Sequence, residues 1–409
     1  MNLLLKSSSC KLKSAIAITG SKSETNRLLL LQALYPGIVI ENSSNSDDSE
    51  VMTKALQQQD TIIDVHHAGT AMRFLTAYFA IQENREVILT GSDRMKKRPI
   101  QILVDALRQL GATIAYKENE GFPPLKITGK KFTQNKVTLM ADVSSQYISA
   151  LLLIGPKLEN GIELLLEGEI TSVPYIRMTL ALLNNVGIAT AFIENKITIA
   201  PATSEPSAKI TVESDWSSAS YFYSIVALSK IGTQITLSSY KMDSLQGDSV
   251  LAEIYKNFGV TTYFQDNTIV IIKTTENVAV VVPTLELNNV PDIAQTIAVT
   301  AFGLGIACRL TGLHTLKIKE TDRLEALKAE LTKLGANISV TNDSLTLEAS
   351  PSIHPNTNIA TYQDHRMAMA FAPLALRVPI LIENAEVVSK SYPAFWDDLK
   401  KIGFEMLSL

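Results

Sequence analysis

Five glycines, each preceded by a large apolar residue, close five amphipathic helical patterns at nearly even intervals: Leu110-Gly111, Val186-Gly187, Phe258-Gly259, Leu334-Gly335 and Ile402-Gly403. The steps are 76, 72, 76 and 68 residues. After each of the first four glycines comes a pair of strand patterns joined by a polar turn, "KENEG", "IENK", "QDNT" and "TNDS". Glycine suits such a helix end because a left-handed residue there strains any side chain, and Asn, Asp or Gly suits the reversal. The stretch "VMTKALQQQDTIID" reads as an earlier, degenerate copy without the glycine, and "WDDLKKIGFEML" as a truncated last copy. A period of this length signals a duplicated unit, and the unit mixes strands with helices. Six units fit the 409 residues as two groups of three. The spacing therefore predicts an α/β fold of two similar domains. An irregular α/β chain whose helices happen to end in glycine would not keep the interval. No Gly/Ser linker separates the groups, so the chain crosses between domains in short segments, near Thr19–Gly20 and Glu213–Trp216. That puts residues 1–19 plus 215–409 in one domain and 20–214 in the other.

Composition removes several classes of function. A net charge of −4 and a pI of about 5.8 argue against a general nucleic-acid binder. The longest uncharged run, Ile293–Cys308, is shorter than the roughly 20 residues a bilayer requires and reads as a buried core helix. "MNLLLKSSSCKLK" is too short in its apolar part for a signal peptide. Cys10 and Cys308 are the two cysteines, which excludes a disulfide framework and suits a cytoplasmic protein. HExxH, GxGxxG, Gly-x-Ser-x-Gly and Walker A patterns are all missing, so metal, dinucleotide, hydrolase triad and P-loop are unsignalled.

Against this background short polar stretches stand out. "GSKSETNR" (20–27) pairs Ser21 with Glu24 as a capping box and starts a helix near Lys22. Ser23 and Arg27 then share a face. Cations oppose the helix dipole at an N-terminus, unless an anion sits between them and the free N–H groups. Taken alone, the stretch reads first as a capped surface helix. "HHAGTAMRFL" (66–75) places a glycine before a helix starting near Ala71, and "RMKKRP" (94–99) is a cationic turn. "VSSQY" (143–147) and "TSVPYIRM" (171–178) set hydroxyls at two more helix starts, which is capping in each case but a shared polar face when taken together. "NNVPDIAQT" (288–296) puts Asp292 at the start of the most apolar helix. In "KIKETDRLEAL" (317–327) the spacing predicts Lys319 and Arg323 on one helical face with Glu320 beside them. "YQDHRMAMAFAPLAL" (362–376) sets Asp364, His365 and Arg366 directly against an apolar helix, and "VVSKSYPAFW" (387–396) holds Lys390 in a Ser-rich turn.

In their order, "GSKSETNR", "AGTAMR", "RMKKRPI", "VSSQY", "SLQGDS" (244–249), "KIKETDR" and "DHRMAM" resemble the 5-enolpyruvylshikimate-3-phosphate synthase family of enolpyruvyl transferases over essentially the whole chain. The resemblance implies two domains, each of three βαβαββ repeats with buried helices (an inside-out α/β barrel), joined by a two-crossing hinge with the active site in the interdomain cleft. It implies transfer of the enolpyruvyl group of phosphoenolpyruvate to the 5-hydroxyl of shikimate 3-phosphate, by addition and elimination, in the pathway to chorismate and aromatic amino acids. It implies no metal or organic cofactor, small-molecule partners, and a monomer. Ser23, Arg27, Ser144, Ser145, Ser172, Tyr175, Lys319 and Thr315 fall on positions for shikimate 3-phosphate. Gly69, His67, Arg98, Arg323, Arg366 and Lys390 fall on positions for phosphoenolpyruvate, the site that glyphosate blocks. Lys22 and Gln146 touch both. Asp292 matches the acceptor of the 5-hydroxyl proton, and Glu320 the group implicated in protonating the methylene carbon, with Lys22 as a second proton carrier. The chain departs from the family where His67 replaces the usual Asn, where Phe74 follows the arginine in place of a frequent Pro, and where Thr315 occupies a frequent Asn position.

The charges fit two anionic substrates. Two phosphates and two carboxylates carry about −5 to −6, against Lys22, Arg27, Arg98, Lys319, Arg323, Arg366 and Lys390 with Asp292 and Glu320 interspersed. Because these cations come from both halves, an open empty state that closes on shikimate 3-phosphate is expected. Three alternatives stand beside this reading: a UDP-N-acetylglucosamine enolpyruvyl transferase, which typically uses a loop cysteine; an RNA 3′-phosphate cyclase, which needs an AMP-accepting histidine; and an inactive anion-binding relative.

Overall fold

The computed structural model describes residues 1–141, 144–276 and 284–409. Its contacts divide the chain into two compact units, Met1–Thr19 with Glu213–Leu409 and Gly20–Val212. Glu213 and Ser214, expected with the second domain, belong to the first. The Ser214 hydroxyl donates to the Ile18 carbonyl, and the Glu213 carboxylate accepts from Trp216 Nε1, Lys241 N and the Ser244 hydroxyl.

Both units repeat one pattern. In the second unit, Ile62–Asp64 lies parallel to Glu86–Thr90, which pairs antiparallel with Leu125–Thr128 and that in turn with Thr113–Tyr116. A helix follows each of the first two strands, Gly69–Ala80 and Gln101–Gln109. Strands Lys136–Met140, Ile162–Glu167, Lys196–Ile199 and Thr190–Ile193 repeat that order, as do Leu285–Glu286, Cys308–Thr311, Leu345–Leu347 and Ile338–Val340 in the first unit. All five closing glycines take positive φ, from 75° at Gly259 to 114° at Gly403. A Cβ at Gly111 or Gly187 would meet nothing within 4 Å, so there the backbone angle alone demands glycine.

Three repeats depart from simple order. Lys13–Ile16 pairs with Gln234–Ser238, so the second unit is inserted after the first strand of this repeat. The last copy, which looked truncated, is completed by Leu3–Leu5, inserted antiparallel between Ile380–Ile382 and Met406–Ser408. The third repeat of the second unit is the exception to three βαβαββ units per domain. Its sheet has two strands, Ala208–Thr211 parallel to Ile38–Glu41. Helix Asp47–Gln57 runs almost directly into Ile62–Asp64, and among the described residues no hairpin comes between them. The missing hairpin is why this stretch carries no closing glycine.

The first helix of each repeat is the buried one. Trp216–Ala227, Ala294–Leu304 and His365–Phe371 pack on one another in the first unit, apolar almost all round. Ser220 meets Thr296 at 3.1 Å and Thr300 donates to Ser224 at 2.8 Å, with both pairs 76 residues apart. Since both positions advance together, these two helices run parallel with their N-termini side by side. At the C-terminal end of Ala294–Leu304, Arg377 Nε donates to Gly303 O, and at the end of the outer helical stretch that finishes at Phe258, Lys273 Nζ donates to Phe258 O. Among the described residues no helix is long and apolar enough to cross a membrane.

Candidate functional site

In the first unit the helix N-termini gather charge. Asp292 lies in the turn Pro291–Ile293 that leads into Ala294–Leu304. Its carboxylate accepts from Arg323 Nη1 at 2.8 Å and from Arg366 Nη2 at 3.1 Å, and Lys319 Nζ stands 3.4 Å away. Burial opposes its charge, yet Arg366, Lys319 and Arg323 hold the carboxyl far below the usual carboxylate range. Arg323, 2% exposed, also donates to Glu320 at 2.7 Å and through Nε to Asp364 at 2.6 Å. Burial opposes its charge as well, but Asp364, Glu320 and Asp292 hold the guanidinium protonated more firmly than usual. Asp364 is fully buried and caps His365–Phe371 by accepting from Arg366 N at 2.8 Å. Lys319 and Glu320 precede the helix Arg323–Lys333 instead of sharing its face, because Asp322 is its N-cap. The long Arg323 side chain spans the difference. Lys390 Nζ donates to Gln363 O, holding the loop in which Tyr362 and Gln363 both take positive φ just before Asp364. Thr315 is buried in the turn His314–Ile318, and its hydroxyl has no protein partner.

The second unit arranges its polar groups differently. Helix Lys22–Leu34 begins as expected, but Ser21 makes no side-chain capping bond, so the Ser21–Glu24 box does not form. Lys22 Nζ lies 3.4 Å from Asp48 Oδ2. Arg27, 2% exposed, donates to Thr179 Oγ1, Ser23 O, Ser149 Oγ and Tyr175 O, all neutral oxygens. Four of its five N–H groups are thus taken, and burial pushes it down to about 10. Its guanidinium also lies over the Phe74 and Tyr175 rings at 5.5 and 5.9 Å. Phe74 therefore floors Arg27, which accounts physically for an aromatic at that position.

Helix Gly69–Ala80 starts two residues earlier than expected, and its N-cap, Ala68, offers no side-chain bond. The Gly69 Cα faces Arg98: a Cβ there would meet Nη1 at 2.7 Å. The Nε of Arg98 is buried without a protein acceptor. Arg73 donates to Gly69 O and Pro99 O, tying the Arg98 turn to this helix. Gln146 Nε2 donates to Thr70 Oγ1 at 3.2 Å, which places the helix Ser145–Ile154 beside it. Ser144 caps that helix and Ser145 is buried, while Val143 of the "VSSQY" motif lies outside the described residues. Ser172, at the N-cap of Val173–Asn185, holds φ 53° with no capping bond. A non-glycine residue in that region costs about 1 kcal/mol or more and persists where its surroundings impose it. His67 is exposed, with Nδ1 paired to the Ser92 hydroxyl at 2.8 Å.

The residue pattern of the EPSP synthase family, 3-phosphoshikimate 1-carboxyvinyltransferase, matches residues 54–399. The chain belongs to the EPSP synthase family. Among curated relatives, the 3-phosphoshikimate 1-carboxyvinyltransferase of Bacteroides fragilis strain YCH46 is 46% identical over 98% of each chain. That of Haemophilus influenzae strain KW20 is 36% identical over 95% of this chain and 96% of its own. An EPSP synthase structure from Acinetobacter baumannii superposes with a TM-score of 0.78 at 21% identity, covering both chains fully. The enolpyruvyl transferase NikO of Streptomyces tendae gives 0.77 at 14% identity, over 99% of this chain and 98% of its own. The fold is that of the EPSP synthases.

Each unit of this EPSP synthase family member collects its expected residues around its own helix N-termini. Asp292, Lys319, Glu320, Arg323 and Arg366 form one network, and Arg27, Ser23 and Tyr175 a second. Sequence reasoning missed Asp48, Ser149, Thr179, Ser217 and Asp248, and gave Asp364 no role. A lone hydroxyl in the apolar run "ISALLLIG" was the available signal for Ser149. Thr179 lies inside its helix, while Asp48, Ser217 and Asp248 lie in the first turns of theirs, where a polar side chain is unremarkable.

Proposed function

We propose that the protein transfers the enolpyruvyl group of phosphoenolpyruvate to the 5-hydroxyl of shikimate 3-phosphate, releasing phosphate by addition and elimination through a tetrahedral ketal. The observation that carries this reading is the Asp292 network: a carboxylate kept ionised by Arg366, Lys319 and Arg323, at the motif positions of an enolpyruvyl transferase. In this reading Ser23, Arg27, Ser144, Ser145, Gln146, Ser172, Tyr175, Lys319 and Thr315 hold shikimate 3-phosphate. Phosphoenolpyruvate is gripped by Lys22, Gly69, Arg98, Gln146, Arg323, Arg366 and Lys390, with His67 at the rim.

The ligand-free geometry adds a step to the chemistry. While Arg366 and Lys319 hold Asp292, its carboxylate is a weak base. When substrate phosphate and carboxylate groups take over those cations, its basicity returns as the 5-hydroxyl arrives. Glu320 and Lys22 then supply the proton to the methylene carbon. Electrostatic stabilisation of the two aligned anions contributes the rest of the acceleration.

The proposal includes substrate binding between the two units, closure on shikimate 3-phosphate, and action as a cytoplasmic monomer. Small-angle scattering should show a smaller radius of gyration on adding shikimate 3-phosphate, and an unchanged radius would exclude closure. The deciding assay is phosphate release from phosphoenolpyruvate with and without shikimate 3-phosphate. Release that ignores shikimate 3-phosphate, or that needs a UDP-sugar, would overturn the assignment. The UDP-sugar alternative is disfavoured by the cysteines, since burial pushes Cys308 up to about 12 and Cys10 up to about 11, which leaves neither a ready thiolate.

A further inference from the structure

Behind Arg366 lies a carboxylate with no part in the chemistry above. Asp248, from the "SLQGDS" motif, sits in the turn Gly247–Val250 and is 3% exposed. Its Oδ2 accepts a hydrogen bond from the Ser217 hydroxyl. The same Ser217 oxygen accepts from Arg366 Nη2 at 3.3 Å, and that nitrogen also donates to Asp292 Oδ2 at 3.1 Å. One guanidinium nitrogen is thus shared between Asp292 and a Ser217–Asp248 relay. The other Asp248 oxygen, Oδ1, is buried and no protein group donates to it. A buried carboxylate oxygen without a donor is expensive when charged and inexpensive when it carries a proton.

The charged and titratable groups facing Asp248 come from each element packed on its turn. Asp215 is the cap of the helix beginning at Trp216, Asp292 belongs to the turn Pro291–Ile293, and Arg366 to His365–Phe371. Lys319, Arg323, Glu320 and Asp364 form the next ring through Asp292 and Arg323. Among the described residues, the cation acting directly on Asp248 is Arg366. Burial first, then Asp292, push the Asp248 carboxyl up to about 6, against the pull of Arg366 and the Ser217 hydrogen bond.

We propose that Asp248 is a positioning residue for Arg366: through Ser217 it steadies the guanidinium, and by taking up a proton as an anionic substrate arrives it lets Arg366 turn from Asp292 to that anion. This rests on Arg366 gripping phosphoenolpyruvate, as proposed above. The proton comes from solvent onto the Asp248 carboxylate and returns on product release, and no other bond changes. By linkage, whatever factor the bound anion adds to Asp248 protonation, protonation adds to anion affinity. The sign follows. Below about pH 6 the neutral carboxyl favours binding, and as pH rises through that value the ionised carboxylate weakens it.

The test is kcat/KM for phosphoenolpyruvate at saturating shikimate 3-phosphate, from pH 5.5 to 8, in wild type, Asp248→Asn and Ser217→Ala. Asn keeps an acceptor for Ser217 and cannot ionise, so the ratio of D248N to wild type should rise about fivefold to tenfold from pH 5.5 to 8, the size expected of one pK unit of coupling. Ser217→Ala removes a bond that favours the charged form, so its alkaline decline should move to higher pH. A flat D248N ratio, or an S217A decline that stays in place or moves to lower pH, overturns the proposal while wild-type phosphate release still depends on shikimate 3-phosphate. If that dependence is itself missing in wild type, the parent assignment has failed instead. If D248N does not fold, the S217A profile alone decides.

Discussion

The two units build the same helix starts and fill them in opposite ways. In the first, Asp215, Asp292 and Asp364 stand at or just ahead of the three buried helices, and Asp215 and Asp364 cap theirs. In the second, the corresponding helices have Ser21, Ala68 and Ser144 at their N-caps in place of an aspartate, and the first two lack any side-chain cap, although Glu24 lies in the first turn of one and Asp48 beside its Lys22. The arginines follow suit. Arg323 is held by three carboxylates, whereas Arg27 is held by hydroxyl and carbonyl oxygens and loses basicity to burial. One unit carries its own anions, and a ligand there must compete with them. The other caps none of these three helices with a carboxylate, which leaves their positive ends less fully paired.

That contrast can be broken by mutation, the strongest effect coming from the internal anions. Asp292→Ala should lower kcat by about 10²–10⁴-fold, the usual worth of a positioned acid–base group. Phosphoenolpyruvate affinity by calorimetry should hold or tighten, because Arg366 and Arg323 lose a competitor, and a loss confined to binding would remove the proton-transfer role. Asp364→Asn should cost about 3–5 kcal/mol of stability in urea unfolding, since it leaves Arg323 buried with one carboxylate fewer. A change under about 1 kcal/mol would show that Asp292 and Glu320 suffice to hold Arg323.

In the second unit the proposed anion site depends on close backbone approach at Gly69. Gly69→Ala puts a methyl 2.7 Å from the Arg98 guanidinium and should weaken phosphoenolpyruvate about tenfold, roughly 1.4 kcal/mol, with little change in Tm. The smallest effect belongs to the C-terminal end of an outer helical stretch of the first unit, at Phe258. Burial above all pushes Lys273 down to about 8, so the native state binds fewer protons than the unfolded chain between about pH 8 and the ordinary lysine range. Stability should therefore rise with pH across that window. Lys273→Met should flatten the rise, as read by Tm at pH 7.5 and 10.

Much of this was legible in the sequence because the repeat imposes a backbone requirement: glycine at positive φ ends each helix, and a period survives where side chains diverge. The strand Leu3–Leu5 was not legible, since its partners lie more than 370 residues away and three leucines carry no register. The missing hairpin after Gln57 left only an absent glycine as its trace. Among site residues, cations beside helix starts were conspicuous because the dipole disfavours them. Asp364 stood out within its charged triplet and Asp248 lay in the "SLQGDS" motif, yet neither gained a role, since a carboxylate at a helix or turn start already has a local explanation. The Ser21–Glu24 pattern erred the same way, with a local rule met in sequence and set aside in the fold. Lys319 and Arg323 met through side-chain reach, not through helical spacing.

The insertion within a split repeat bears on how the chain is made. Gly20–Val212 emerges from the ribosome as one continuous stretch and can fold as soon as it is out. Lys13–Ile16 must wait for Gln234–Ser238, and Leu3–Leu5 for Ile380–Ile382 and Met406–Ser408. At about 5–20 residues per second the first wait lasts on the order of ten to forty seconds. Throughout it, two short strands, one of them three leucines, lie unpaired, which is when a holding chaperone would matter most for this protein.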